Sequence, residues 1–214
     1  MRWREAACLL MLSGCAAAAG SPSAGSGPST APPPAAGGDS AGLVPAGFGT
    51  LRQEDIALHL QRLGLQIRAI PLDESIIRTL SPDSYRALRD LQRSRRAEIS
   101  SIERRHGGRP LALWYVAFFG IEQGETPFSP MEFIVTNVGR DFRPLDVIGL
   151  SPGFGEQRLR QRETQTALYA FDGRLDASQP LTVAYETAEN SEWATILQRI
   201  ERERSLIRTR AARP

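Results

Sequence analysis

Apolar residues in the stretch that follows residue 48 recur at the three- and four-residue steps of an α-helix. Thr50 is followed three residues later by Gln53, the spacing of a capping box at a helix N-terminus, and Gly64 is a typical residue just past a helix end. The apolar positions that share one helical face are Ile56, Leu60 and Leu63. This pattern predicts a helix that begins near residue 50 and ends before Gly64.

A second helical pattern follows a short apolar run. Residues 65–70 are typical of a short strand, and Ser81 and Pro82 supply an N-cap and a first-turn proline ahead of a long amphipathic segment. Gly107 and Gly108 predict its end. The positions that recur on its inner face are Tyr85, Leu88, Leu91, Arg95, Ile99 and Ile102.

From residue 111 onward the pattern changes from helical to extended. Residues 111–121 are apolar on both faces, which favours a central strand, whereas residues 181–187 alternate apolar and polar side chains, as in a strand with one solvated face. A last helix is expected from residue 190 or 191, with Trp193 as a core residue. The other predicted strands are residues 131–136, 145–150 and 164–171.

Successive strands without intervening helices favour antiparallel sheets over a doubly wound parallel sheet. We therefore expect an α+β fold in which an antiparallel β-sandwich is flanked by N-terminal and C-terminal helices. The turn at residues 136–139, Pro144 ahead of one strand and Pro180 ahead of another are similar to features of immunoglobulin-like domains in bacterial surface lipoproteins. This resemblance covers about residues 111–187 and implies an immunoglobulin-like sandwich.

The N-terminal residues have the features of an export signal. Arg2 and Arg4 precede the apolar residues 6–12, which are too short for a bilayer span of roughly 20 residues but fit the apolar part of a signal peptide. The run Leu-Ser-Gly-Cys at residues 12–15 closely resembles the lipobox of bacterial lipoproteins.

The lipoprotein resemblance implies that residues 1–14 are removed and that lipid is attached to the sulfur of Cys15. Two or three acyl chains hold a protein on a membrane, whereas one chain binds only reversibly. Position 16 is alanine and not the aspartate that this family associates with retention at the inner membrane. An outer-membrane location is therefore favoured where the source has an outer membrane. The alternative is an ordinary secretory signal cleaved after one of the later alanines.

Residues 16–47 are nearly all Ala, Gly, Pro and Ser, with Asp39 as their one charged residue, which is typical of a flexible tether. The expected organisation has four parts. These are the signal peptide 1–14, the lipid anchor and disordered tether 15–47, a helical N-terminal part 48–110, and a β-sandwich with a C-terminal helix 111–214.

Composition excludes several kinds of chemistry. All 26 basic residues are arginine, so lysine Schiff bases and a P-loop lysine are impossible. The two cysteines are Cys8, in the signal peptide, and Cys15, so no disulfide is expected in the mature chain. Removing Arg2, Arg4 and Glu5 lowers the formal net charge from +2 to +1, which indicates no bulk electrostatic partner. No nucleic-acid partner is expected for a protein exported from the cytoplasm.

Residues 149–153 read Gly-Leu-Ser-Pro-Gly and match the G-x-S-x-G nucleophile elbow of hydrolases. In that elbow the residue after the serine donates a backbone N–H to the oxyanion, and Pro152 has no N–H to donate. The two histidines, His59 and His106, both precede Ser151, whereas the hydrolase order requires a later one. We therefore interpret this stretch as a proline turn.

The two histidines each have a carboxylate at helical spacing. Glu103 and His106 have the Glu-x-x-His spacing of di-iron bundles, but the second copy that such a site needs is missing. We expect His106 at a helix C-terminus and His59 paired with Asp55. No metal or cofactor is predicted.

The long helix carries seven arginines against four acidic residues, a local charge of +3 by subtraction. Such a face can hold anionic lipid headgroups or an acidic partner, because guanidinium groups bind phosphate and carboxylate in bidentate fashion. The alternative is a solvated helix with pairs at i to i+4 spacing, such as Arg86 and Asp90. The candidate face consists of Arg86, Arg89, Arg93 and Arg96.

These observations predict a lipid-anchored cell-envelope protein, exposed outside the cytoplasm, that acts as a non-catalytic binding or structural module. Its expected partners are the membrane, through the lipid anchor, and envelope proteins or anionic lipid headgroups. The alternatives are a purely structural tether and a hydrolase with an unrecognised active site.

Overall fold

The computed structural model describes residues 42–212, where the chain has a mixed α and β fold with antiparallel sheets. Cys15, the predicted signal peptide and most of the predicted tether lie outside these residues. The helices are α1 (Glu74–Ile77), α2 (Pro82–Ser94), α3 (Arg96–Arg105) and α4 (Trp193–Ala211). The strands are β1 (Leu58–Arg62), β2 (Leu65–Pro71), β3 (Leu111–Gly120), β4 (Glu125–Pro127), β5 (Phe133–Asn137), β6 (Arg140–Phe142), β7 (Asp146–Gly149), β8 (Arg158–Arg160), β9 (Thr164–Asp172), β10 (Leu181–Tyr185) and β11 (Ala188–Asn190).

The described strands form two main sheets and one small pair. A five-stranded sheet has the order β1-β2-β3-β9-β7, and a four-stranded sheet has the order β11-β10-β5-β6. Strands β4 and β8 form the small pair. Every pairing between these strands is antiparallel.

Aromatic side chains from the two main sheets meet in one core. Trp114 on β3 lies 6.5 Å, between ring centroids, from Phe133 on β5. Phe118 on β3 lies 5.9 Å from Tyr185 on β10, with the rings edge to face. Since these residues are buried, the inner face of each sheet packs against side chains of the other.

Tyr169 on β9 also belongs to this aromatic core. The side chain is fully buried, and its hydroxyl has no hydrogen-bond partner among residues 42–212. Removal from water disfavours the phenolate, so burial raises the pKa of Tyr169 well above its ordinary value.

The opposite, outer face of the five-stranded sheet is covered over part of its area. Leu168 and Ala170 alternate with the inward Tyr169 on β9, yet both are fully buried. Helices α2 and α3 lie over this part, because Gln92 on α2 donates a hydrogen bond of 3.0 Å to the carbonyl of Leu72, and Arg105 on α3 pairs with Asp146 on β7. The rest of the outer face is open.

The C-terminal helix α4 is confirmed, and Trp193 is a core residue as predicted. Its indole ring is fully buried 6.4 Å from Trp114, and its ring N–H donates to the carbonyl of Ala177 at 2.9 Å. Glu203 on the same helix is also buried. Helix α4 therefore closes the core with one carboxylate on its buried side.

The predicted helix at residues 50–63 is wrong. Residues Gln53–Ile56 form only a short 3-10 turn, and strand β1 follows. Leu58 and Leu60 are buried and His59 is exposed, which is the two-residue period of a strand. Leu63 is 77% exposed in the turn that joins β1 to β2.

The remaining helix and strand predictions need smaller changes. The long helix is confirmed as a helical region, but it divides at Arg95 into α2 and α3. Together with α1, these helices lie between β2 and β3 in the chain, not ahead of the sheet as the predicted fold has them. The predicted strands correspond to β2, β3, β5, β7, β9 and β10.

Candidate functional site

The predicted arginine face lies on α2 and α3, and two of its four members form exposed ion pairs within α2. Arg86 lies 2.8 Å from Asp83, and Arg93 lies 3.4 Å from Asp90. The sequence predicted Asp90 as the partner of Arg86, but the partner is Asp83, three residues before it. Each guanidinium has a carboxylate beside it, so the two positions add little net positive charge to this surface.

The third member, Arg89, has a structural role. It lies 2.8 Å from Glu74 on α1, which also accepts a hydrogen bond of 2.8 Å from Arg78. The Glu74 carboxylate raises the pKa of the Arg78 guanidinium. Arg96, the fourth member, is exposed and has no carboxylate within 4.0 Å in the described part of the chain.

The two histidines, His59 and His106, make different contacts. His106 ends α3 as expected, and its backbone N–H donates to the carbonyl of Ile102 at 3.0 Å. The expected pair of His59 with Asp55 is wrong: the His59 Nε2 atom lies 3.2 Å from the carboxylate of Glu54. Asp55 instead accepts a hydrogen bond of 2.8 Å from the backbone N–H of Arg52.

Ser151, the serine of the elbow-like motif, is used to hold a turn. Its Oγ atom accepts a hydrogen bond of 3.0 Å from the backbone N–H of Thr166 and lies 3.1 Å from the Thr166 hydroxyl. Neither histidine is among its partners. These contacts agree with the turn interpretation.

An open cleft of about 320 Å³ lies on the uncovered part of the outer face of the five-stranded sheet. We call it the outer cleft. Its volume falls within the roughly 300–1,000 Å³ of small-molecule sites. The outer cleft is lined by Glu54, His59, Gln66, Arg68, Tyr115, Ala117, Phe119 and Thr164.

Strand register brings these residues together. His59 on β1 lies directly opposite Arg68 on β2, and Arg68 lies opposite Ala117 on β3. In the next row, Gln66 lies opposite Phe119, and Phe119 lies opposite Thr164 on β9. Directly opposed residues share a face at about 4.5–5.5 Å between Cβ atoms, so residues distant in sequence form one continuous surface.

Glu54 fixes the two basic groups of the outer cleft. Its carboxylate lies 3.2 Å from His59 through one oxygen and pairs with Arg68 through the other. The side chains are 53%, 41% and 29% exposed for Glu54, His59 and Arg68, so the group is accessible to a ligand. The short 3-10 turn that replaces the predicted helix places Glu54 beside the start of β1.

Two aromatic residues bound the outer cleft along β3. Tyr115 and Phe119 are half-buried on the same face of the strand, and Ala117 lies between them with 7% exposure. The Arg68 guanidinium lies over the Tyr115 ring at 5.7 Å from its centroid, within cation–π range. The small side chain of Ala117 leaves the space between the two rings open.

A second cavity, of about 530 Å³, lies beside the small β4–β8 pair. Three arginines and three glutamates line it, with Arg158 paired to Glu125 at 3.3 Å. Hydrogen bonds from the Gln165 amide and the Arg160 backbone N–H lower the pKa of Glu163, one of these glutamates. Its one apolar lining residue, Leu159, is buried, so this cavity lacks the fixed aromatic surface of the outer cleft.

Within residues 42–212 no group of three or more His, Cys, Asp or Glu side chains is arranged to hold a metal ion. No helix in the same range is long and apolar enough to cross a membrane.

Comparison with known proteins gives no assignment: no protein-family model, curated protein or solved structure matches this chain.

Most of the residues that line the outer cleft were not predicted as site residues from the sequence. Gln66, Arg68 and Tyr115 were present in predicted strands, but the helical interpretation of residues 50–63 removed the strand that carries His59. The alternation of Leu58 and Leu60 with the polar residues His59 and Gln61 was the signal that could have indicated β1.

Proposed function

We propose that this protein is a lipid-anchored cell-envelope protein whose folded region is a non-catalytic binding module, with the outer cleft as its binding site. The observation that carries the proposal is the convergence of the Glu54–His59–Arg68 group and two aromatic rings on an open part of the outer face of the five-stranded sheet. Concave sites with a few convergent polar groups and aromatic walls are typical ligand sites.

Binding without chemistry is supported by how the polar groups of the outer cleft are used. No serine or cysteine is among the lining residues. The one imidazole, His59, faces a carboxylate that also holds Arg68. Glu54 thus acts as a positioning group for two donors, which suits recognition. The elbow-like motif gives a hydrolase no support, because the Ser151 hydroxyl is held by Thr166.

The anchor is supported by the lipobox-like residues 12–15, which follow a short apolar stretch, and by the Ala-, Gly-, Pro- and Ser-rich residues that come after them. The folded region already includes Val44, which is buried and whose carbonyl accepts a hydrogen bond of 3.3 Å from Arg78, just beyond α1. The predicted disorder of the tether therefore does not extend to residue 47.

We also propose that the two main sheets form a β-sandwich, supported by the edge-to-face contact of Phe118 with Tyr185 and the contact of Trp114 with Phe133 between them. The immunoglobulin-like arrangement remains a prediction.

The binding function can be tested by photo-cross-linking in living cells. A photoreactive amino acid replaces Gln66, which is exposed in the outer cleft, and in a second strain it replaces Thr182, on the other sheet. We expect adducts with a discrete envelope component from position 66 and not from position 182. Equal adduct patterns at both positions, or no adduct at position 66, would contradict the proposal.

A further inference from the structure

We infer that the ligand of the outer cleft is a neutral, polyhydroxylated molecule, that is, a saccharide. This inference rests on the proposed function and adds the chemical class of the ligand. Three properties of the outer cleft carry it: its charge balance, its aromatic walls and its mixture of hydrogen-bonding groups.

The charges of the outer cleft cancel. Its lining holds one carboxylate, on Glu54, and one guanidinium, on Arg68, and they pair directly with each other. A carboxylate or phosphate ligand would have to compete with Glu54 for Arg68 and would meet the negative charge of Glu54 at close range. The site therefore favours a ligand without net charge.

The aromatic walls fit the flat, apolar faces of sugar rings. Tyr115 and Phe119 are four residues apart on one strand, so their Cα atoms are separated by about 13 Å. Ala117 forms the floor of the space between them. The C–H groups on one side of a pyranose ring carry partial positive charge and pack favourably against the negative face of an aromatic ring. A bulkier residue at position 117 would fill this space.

The polar groups of the outer cleft include both donors and acceptors. The Tyr115 and Thr164 hydroxyls and the Gln66 amide each donate and accept, and among the described residues none of them bonds to another side chain. Arg68 has further N–H donors beyond those that reach Glu54. Each hydroxyl of a sugar is likewise both donor and acceptor, so this mixture matches a polyol better than it matches an anion.

The test uses the full chain with Cys15→Ser, which removes the proposed lipid attachment and leaves the folded region intact. Maltotetraose, cellotetraose and tetra-N-acetylchitotetraose are titrated separately, and backbone amide shifts are recorded by NMR. Glucose 6-phosphate and glucose are also titrated, because they differ by one phosphate group and their comparison shows whether a negative charge on the ligand strengthens binding. Ala117→Leu fills the outer cleft, and Thr182→Leu is the control on the other sheet. Thermal unfolding confirms that each variant is folded.

We expect at least one neutral oligosaccharide to shift the amides of residues 66–68 and 115–119. Ala117→Leu should weaken that binding by about tenfold or more, as overfilling a formed site does, while Thr182→Leu leaves it within about twofold. Glucose 6-phosphate should bind no more tightly than glucose. Binding that Ala117→Leu leaves unchanged, or tighter binding of the phosphorylated sugar, would overturn the inference. If none of the oligosaccharides binds but cross-linking from position 66 persists, the saccharide assignment fails and the proposed function stands.

Discussion

Removing the buried carboxylate of Glu203 should destabilise the folded region far more than removing an exposed glutamate from the same helix. Glu203 is 5% exposed. It accepts hydrogen bonds from the Thr50 backbone N–H at 2.9 Å, from the Thr50 hydroxyl at 3.0 Å and from Arg210 at 2.7 Å. One side chain therefore ties the segment ahead of β1 to α4 and also holds Arg210, about two turns further along that helix.

The expected size of the effect follows from these contacts. Hydrogen bonds to charged groups contribute about 1.5–3 kcal/mol each, and breaking a fully buried ion pair costs about 3–5 kcal/mol. Arg210 is 35% exposed and Thr50 is exposed, so water can replace part of what they lose. We therefore expect Glu203→Ala to lower the free energy of unfolding by about 2–3 kcal/mol, a large share of the roughly 5–15 kcal/mol of a typical domain.

Urea unfolding of the full chain, followed by circular dichroism, measures this difference. With a slope of about 2 kcal/mol per molar urea, the midpoint should fall by about 1–1.5 M. Glu201→Ala is the matched control, because Glu201 is 58% exposed and pairs with Arg204 on the same helix. Water can take the place of the exposed Glu201 carboxylate, and Arg204 keeps its hydrogen bonds to the Ser75 carbonyl, so we expect this loss to be under about 1 kcal/mol. Equal midpoints for the two variants would refute the reasoning that Glu203 is a buried tie.

Three further predictions concern the core, the corrected hairpin and the β8 strand. Tyr169→Phe removes a buried hydroxyl without a partner among the described residues, so it should leave the free energy of unfolding unchanged or raise it by up to about 1 kcal/mol at pH 7. Because the pKa of Tyr169 is raised in the folded state, the folded wild-type protein binds more protons than the unfolded chain above about pH 10. Its free energy of unfolding should therefore fall as the pH rises there. In urea titrations from pH 9 to 11, the free energy of unfolding of Tyr169→Phe should fall less than that of wild type. Leu63→Ser should change the free energy of unfolding by under about 0.5 kcal/mol, since Leu63 is 77% exposed, whereas a loss of about 2 kcal/mol would support the rejected helix. Gly120→Ala places a Cβ atom 2.4 Å from the Arg160 carbonyl oxygen and should lower the melting temperature by several degrees. Gly155→Ala is the control and should leave the melting temperature unchanged, because its Cβ atom would have no atom within 4 Å. Equal melting temperatures for the two variants would contradict the close approach of β3 to β8.

Long periodic segments could be predicted from the sequence because each carries its signal locally. The apolar run of β3, the alternation of β10 and the Ser81–Pro82 start of α2 all correspond to elements of the structure. Residues 56–63 fit two periods at once. Ile56 and Leu60 fit the helical period and the strand period, so the choice between helix and strand depended on Leu58 and Leu63. Only the pairing of β1 with β2 makes Leu58 buried and Leu63 exposed.

The short strands and the outer cleft needed information that the sequence does not carry locally. Strands β4, β6, β8 and β11 have three residues each, too few to show a period. The outer cleft requires the register of β1, β2, β3 and β9, which is set by long-range pairing. Glu203 was equally hidden, because its partner Thr50 is 153 residues away.

Mass spectrometry of the intact protein most directly tests the claim that the module is anchored by lipid. The full-length protein and its Cys15→Ser variant are expressed in a bacterial host and separated into membrane and soluble fractions. We expect wild type to begin at Cys15, to carry the added mass of two or three acyl chains and to sediment with membranes, whereas Cys15→Ser should have none of these three properties. A wild-type chain that is unmodified and soluble would contradict the claim.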